Sequence, residues 1–217
     1  MRISRYILLM AVSACLAVCY SCSDDDSWSP SYITDFADLC TDADGNVAEL
    51  VLDNGSTYQL ATPYSFADAK PDTTYRAICL YTVDKEAATL HGVSLTFSPD
   101  PIVAPSDLEM KNDPCVIQSI WRGSDYINAR MLVQGQEIQH YVAFIDRGIT
   151  TGSQSSAKIL TIELYHDCNN DPAAFTRTFY FSCPLRKYAE LLTQGRDSIA
   201  FIVNQEDKGM TTFMLPY

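Results

Sequence analysis

Two tight-turn signatures lying close together, Asp42-Ala43-Asp44-Gly45 and Asp53-Asn54-Gly55, most constrain how this chain can fold. Asp-x-x-Gly and Asn-Gly supply the positive-φ positions that short hairpins need. The runs they separate, residues 33–40, 46–52 and 57–61, are each of strand length. In the middle run Leu50 and Leu52 point one way while Glu49 and Val51 point the other, the period of a half-buried strand. The pattern predicts a three-stranded antiparallel meander. Beyond a loop through Pro63, Asp68 and Pro71, residues 74–83 and 88–97 read as two more strands, broken by Asp84-Lys85-Glu86. Tyr75, Ala77, Cys79 and Tyr81 share one face of the first, and aromatics of that kind are expected to fill a barrel or pack a domain. Closing five short strands on themselves removes exposed edges, so a five-stranded OB-type barrel is expected over residues 32–98.

The grammar then changes. Pro99, Pro101, Pro105 and Pro114 deny backbone donors to any ladder, which predicts a semi-stiff linker over 99–114. Seven further runs follow: 115–121, 126–133, 138–146, 157–166, 174–182, 198–204 and 211–215. Their breaks carry turn residues, including Gly123-Ser124-Asp125, Gly148 with Gly152, Asn169-Asn170-Asp171-Pro172 and Asp207-Lys208-Gly209. Seven short strands predict an immunoglobulin-like β-sandwich over 115–217, giving an all-β chain. Leu185, Ala189 and Leu192 have helical spacing and predict one or two helical turns. Trp121 is assigned to the sandwich core, with Arg122 starting a turn.

Ahead of both domains stands a secretory segment over residues 1–21. Arg2 and Arg5 form its positive end, and the apolar core that follows is short for a bilayer span. It ends in Leu16-Ala17-Val18-Cys19-Tyr20-Ser21-Cys22, then turns acidic at Asp24-Asp25-Asp26. This reads as a lipoprotein signal, cut before a cysteine that becomes acylated. Cys22 is the favoured lipid-attachment residue because the small Ser21 precedes it; Cys19, preceded by the bulkier Val18, is the alternative. Residues 22–31 then form a tether, and the membrane is a partner through the lipid anchor. Cleavage removes two arginines and no acid, taking the formal charge from −12 to −14. So acidic a body is repelled by polyanions, and no nucleic acid is expected as a partner.

Signals for chemistry are sparse. His91, His140 and His166 lack metal-ligand spacing, and no metal or cofactor is expected. His166 is in phase with Leu160, Ile162 and Leu164, which predicts a hydrogen-bonded histidine at the core edge, while Asp167 stabilises the next turn. The aspartates of 42–45 and 167–171 resemble pieces of calcium loops but lack the closing Glu, so turn chemistry explains them. No nucleophile elbow or phosphate loop is present, and no catalytic residue is assigned. An exported protein can form disulfides, and Cys40, Cys79, Cys115, Cys168 and Cys183 leave their pairing open, Cys40–Cys79 and free buried thiols included.

Several stretches, taken in order, resemble the NigD-like lipoproteins of the Bacteroidota. They are Asp53-Asn54-Gly55-Ser56, Tyr75-Arg76, Asp113-Pro114, Ser119-Ile120-Trp121-Arg122-Gly123 and Tyr126-Ile127-Asn128. Leu164-Tyr165-His166-Asp167, Asn170-Asp171-Pro172, Phe181-Ser182-Cys183-Pro184-Leu185 and Ser198-Ile199 complete the set. Cys168 and Cys183 depart from it, standing where small or apolar residues are expected. The resemblance implies an OB-type domain and a β-sandwich behind a lipidated cysteine. It also implies an outer-membrane, cell-surface address, with which an acidic run after the cysteine is associated. The family's name comes from bacteriocin production, with immunity proposed as a role. The functional expectation is therefore a non-enzymatic surface lipoprotein that binds an unknown protein, a bacteriocin among the candidates. A glycan-binding accessory lipoprotein is the alternative.

Overall fold

The computed structural model describes residues 31–152 and 156–217. Cys19, Cys22 and the rest of the secretory segment lie outside the described residues. Residues Tyr32–Tyr217 form one compact unit. Among the described residues no helix is long and apolar enough to cross a membrane.

The chain is all-β. Five strands, β1 (Ile33–Thr41), β2 (Val47–Leu52), β3 (Thr57–Tyr64), β4 (Thr74–Asp84) and β5 (Ala87–Leu95), close into a barrel in the order β1-β2-β3-β5-β4. The turns are built as their residues dictate. Asp42 Oδ1 accepts from the amides of Asp44 and Asn46, and Asn54 Oδ1 from that of Ser56. Gly45 and Gly55 take the left-handed positions at φ +82° and +88°. Inside lie Ala37, Leu39, Val47, Leu50, Leu52, Ala77, Cys79 and Tyr81, so the Tyr75–Tyr81 face does fill the barrel. Cys40 lies opposite Thr74 and Cys79 opposite Asp35, too far apart along β1 and β4 for a disulfide. All five described cysteines are free, and burial pushes the Cys79 and Cys115 thiols up to about 12.

Seven strands make the sandwich: β6 (Val116–Gly123), β7 (Tyr126–Gly135), β8 (Tyr141–Thr151), β9 (Lys158–Asp167), β10 (Phe175–Pro184), β11 (Ser198–Gln205) and β12 (Gly209–Pro216). One sheet runs β10-β7-β6 and the other β12-β11-β9-β8, with β9 and β11 parallel. Phe144, Phe181 and Phe201 stack between them, fully buried. Gly148, expected in a break, instead sits within β8, at a bulge where its φ is +92°. The predicted helical stretch is a single 3₁₀ turn, Arg186–Tyr188, and buries Leu185, Tyr188 and Leu192 while Ala189 faces out.

The proline-rich segment is laid along the sandwich. Ile102 exchanges backbone bonds with Phe144 and Asp146 of edge strand β8. Lys111 and Asp113 pair with His166, beyond the part of β9 that β11 covers. Two buried carboxylates fasten loops in the same body. Asp197 accepts from Arg196 and from the amides of Lys158 and Thr193. Burial raises the Asp171 carboxyl, but the amides of Ile138, Gln136 and Glu137 and the charge of Arg177 outweigh it and hold it low. The Arg196 and backbone bonds hold Asp197 lower still. Carboxylates depressed in the folded state add stability that is complete above their unfolded value near 3.9 and is lost as pH falls through the folded one. The melting temperature should therefore stay level from neutral pH to about pH 5 and drop steeply below about pH 4. A scan of thermal unfolding against pH checks this, and a melting temperature level down to about pH 2 would contradict it.

Candidate binding groove at the barrel–sandwich junction

The outward face of β1 and β4 meets the outward face of the β10-β7-β6 sheet. Alternation sets what each strand presents: Phe36 and Asp38 from β1, Arg76 and Ile78 from β4, in register across the pair. From the sandwich come Asn128 on β7 and Ser182 and Tyr180 on β10, with Asn128 opposite Ser182. Asn128 and Ser182 interrupt apolar runs and are fully buried. A buried polar group is costly unless it is hydrogen-bonded. Here each finds partners across the junction.

Arg76, only 6% exposed, is the hub. Its Nε donates to Ser182 Oγ at 3.1 Å, and Nη1 to Asp38 Oδ1 at 3.2 Å. Nη2 donates to both oxygens of Asp53 at 2.7 Å and to Asn128 Oδ1 at 3.1 Å. Asn128 Nδ2 closes the ring onto Asp53 Oδ2 at 2.7 Å, and Ser182 Oγ donates to Asn128 Oδ1. The guanidinium lies 4.0 Å from the centre of the Tyr126 ring, a cation–π geometry. The Tyr126 hydroxyl, raised by burial and by the nearby Asp38 charge, stays protonated and donates to Asp38 Oδ2 at 3.1 Å. Arg186 also pairs with Asp38, so two carboxylates are balanced by two guanidiniums. Gly123 leaves room for this: a Cβ there would stand 2.6 Å from Asn128 Nδ2 and closer still to Asp53 Oδ2.

Beside this cluster, and lined by its Asp53, opens a groove of about 590 Å³. Trp121, 37% exposed, forms one wall, edge-on to Phe36 at 5.5 Å between ring centres; Tyr180 meets Phe36 at 6.1 Å. Thr34, Asp35 and Asn54 supply polar groups at the margin. Trp121 is therefore not a core residue. A bulge between Ile117 and Ser119 shifts the alternation of β6 by one residue, so Ile120 pairs with inward-facing Ala129 and Trp121 turns toward the barrel. Many of the stretches carrying the family resemblance converge here: Asp53-Asn54, Arg76, Trp121 to Gly123, Tyr126, Asn128 and Ser182.

The histidines divide. His91 bonds Thr82 on the barrel surface. His166 is the core-edge histidine expected from its phase, 2% exposed, with Nδ1 2.8 Å from the Asp113 carbonyl. His140, which no spacing in the sequence links to it, sits 2.9 Å away. Asp167 caps its turn through the amide of Asn169.

The family model for the NigD-like C-terminal beta sandwich domain matches residues 98–217, more than half of the chain. A comparison with curated proteins found no match. Among solved structures, the chain is similar to a NigD-like immunity protein from Bacteroides caccae, 24% identical, over 86% of this chain and 92% of that one, with a TM-score of 0.61. It is also similar to a protein of unknown function from Bacteroides vulgatus, 20% identical, over 86% and 91% of the two chains, with a TM-score of 0.66. These likenesses establish the fold.

Proposed function

Because the chain belongs to the NigD-like family, we propose that it is a non-enzymatic lipoprotein of the cell surface whose junction groove binds a partner protein, a bacteriocin that it neutralises. The groove carries this reading: an exposed tryptophan is held edge-on to Phe36, and Asp53 in the groove lining is fixed by Arg76. Tryptophan in a pre-formed pocket is the anchor type on which binding energy concentrates. The similar Bacteroides caccae protein is described as an immunity protein.

Two experiments test it. A strain lacking the gene should become more sensitive to the cognate toxin, and a Trp121→Ala copy should fail to restore resistance while folding normally. Unchanged sensitivity in the deletion strain, with no reproducible partner recovered from native envelopes, would sink the immunity reading. A Cys22→Ala variant should lose its acyl chains and leave the membrane fraction. If it remained acylated, Cys19 would be the anchor. The same aromatic wall beside Asp35 also suits a sugar ring, so the glycan reading stands second, and a glycan array without hits would remove it.

A further inference from the structure

Strand β1 is longer than the strand that covers it on one side. It pairs with β4 from Ile33 to Cys40, but with β2 only from Ala37 to Thr41. β2 ends at Leu52, opposite Ala37, and the chain then turns away through Asp53-Asn54-Gly55. Residues 33–36, about 13 Å of extended chain, therefore run past the end of β2. Thr34, Asp35 and Phe36 line the junction groove at this place, together with Leu52, Asp53 and Asn54. We propose that an extended segment of the partner protein adds to this edge as a strand, placing an apolar residue against Trp121 and a basic residue against Asp35. The inference rests on the groove being a protein-binding site and specifies what enters it.

Two sets of bonds fix which backbone groups face the open side. The Leu52 amide donates to the Ser56 carbonyl, and the Leu52 carbonyl accepts from Gly55, so Leu52 turns its backbone toward β3. Ala37, opposite it, must then turn its own toward β4. Independently, the Arg76 carbonyl accepts from Thr96, so Arg76 turns toward β5 and Asp38, its opposite number on β1, turns toward β2. Both give one alternation, and the unbroken register with β4 carries it along β1. Thr34 and Phe36 share the orientation of Asp38 and aim their backbone groups at the side β2 has left. Among the described residues their amides meet no backbone acceptor there. An uncovered strand edge of this kind is a template for an added strand.

Alternation also assigns the side chains of that strand. A residue opposite Phe36 shares its face, where Trp121 and Tyr180 stand edge-on to the Phe36 ring. A residue opposite Asp35 lies on the other face, toward the barrel mouth. Asp35 is exposed, and the Tyr81 hydroxyl donates to its Oδ2 at 2.9 Å. Among the described residues no lysine or arginine pairs with it. Asp53 is already matched by Arg76, so Asp35 is the carboxylate of the groove that selects charge. A formal charge of −12 on the whole chain favours a basic partner in the same sense.

Thr34→Pro isolates the main-chain contribution. The Thr34 amide faces the open side, so proline removes no ladder bond while its ring blocks the edge, and circular dichroism should be unchanged. The probe is a phage-displayed library of random peptides of about twelve residues, long enough to supply one strand, selected on the full chain. Selected peptides should alternate apolar residues with Lys or Arg and protect the Thr34 and Phe36 amides from hydrogen exchange. They should bind Thr34→Pro about tenfold more weakly, and N-methylation of their own edge-facing amides should cost as much. Asp35→Asn, which keeps an acceptor for Tyr81, should weaken the basic peptides severalfold. A library yielding no peptide would overturn the proposal. Peptides lost in Trp121→Ala that leave both amides exchanging as before and bind Thr34→Pro at full strength would overturn the added strand alone, with the groove still a binding site.

Discussion

Replacing Arg76 by Met is expected to lower the unfolding free energy by about 3–5 kcal/mol, the cost of removing one partner from a buried ion pair. The substitution keeps an unbranched apolar stem, so loss of packing is small and the charge effect dominates. Asp53 would keep only the Asn128 amide, and Asp38 only Arg186 and Tyr126. Ser182 would lose its donor as well. Arg76→Lys separates charge from shape: it keeps the cation but loses the fork that reaches Asp38, Asp53, Asn128 and Ser182 together, and should cost less than half as much. Urea unfolding of the three proteins measures both. A loss below about 1 kcal/mol for Arg76→Met would put the cluster on a par with an exposed ion pair and remove its role in fixing Asp53 at the groove.

This hub shows where reading the sequence succeeds and where it stops. Among the described residues each of the twelve expected runs does form a strand, because turn signals and alternation act over a few residues, but β3 and β8 run past their expected ends through Pro63 and Gly148. The interior face of β4, from Tyr75 to Tyr81, was legible for the same reason. The cluster joins Arg76 to Ser182 across 106 positions, and no local period announces such a contact. A trace exists all the same: Asn128 between Ile127 and Ala129, and Ser182 between Phe181 and Cys183, are polar residues set in locally apolar stretches of their strands. Such a stretch marks the part of a sheet covered on two sides, and here the barrel is the second cover. Trp121 was misplaced because a single-residue bulge inverts every later side chain in β6, and nothing between Ile117 and Ser119 signals one. The His140–His166 pair was missed because its partners meet across β8 and the turn before it, 26 residues apart.

Gly135→Ala should cost about 2–4 kcal/mol for a single added methyl group, as an overpacked site does when its neighbours cannot yield. Its backbone is not in the left-handed region, so the cost is one of space. A Cβ there would lie 2.5 Å from Arg177 Nη2, 3.0 Å from His140 Nε2 and closest of all to Asp171 Oδ2. Arg177, 41% exposed at its side chain, can swing into water. Asp171 cannot, because the amides of Gln136, Glu137 and Ile138 hold both its oxygens. Moving it breaks the turn into β8. Gly55→Ala is the contrasting case: its φ of +88° strains any other residue, but nothing stands within 4 Å. That variant should lose only about 1–2 kcal/mol, the ordinary penalty of a left-handed L-residue. If thermal unfolding ranked the two substitutions equally, Asp171 would be free to give way, and the three amides at the turn into β8 would not hold it in place.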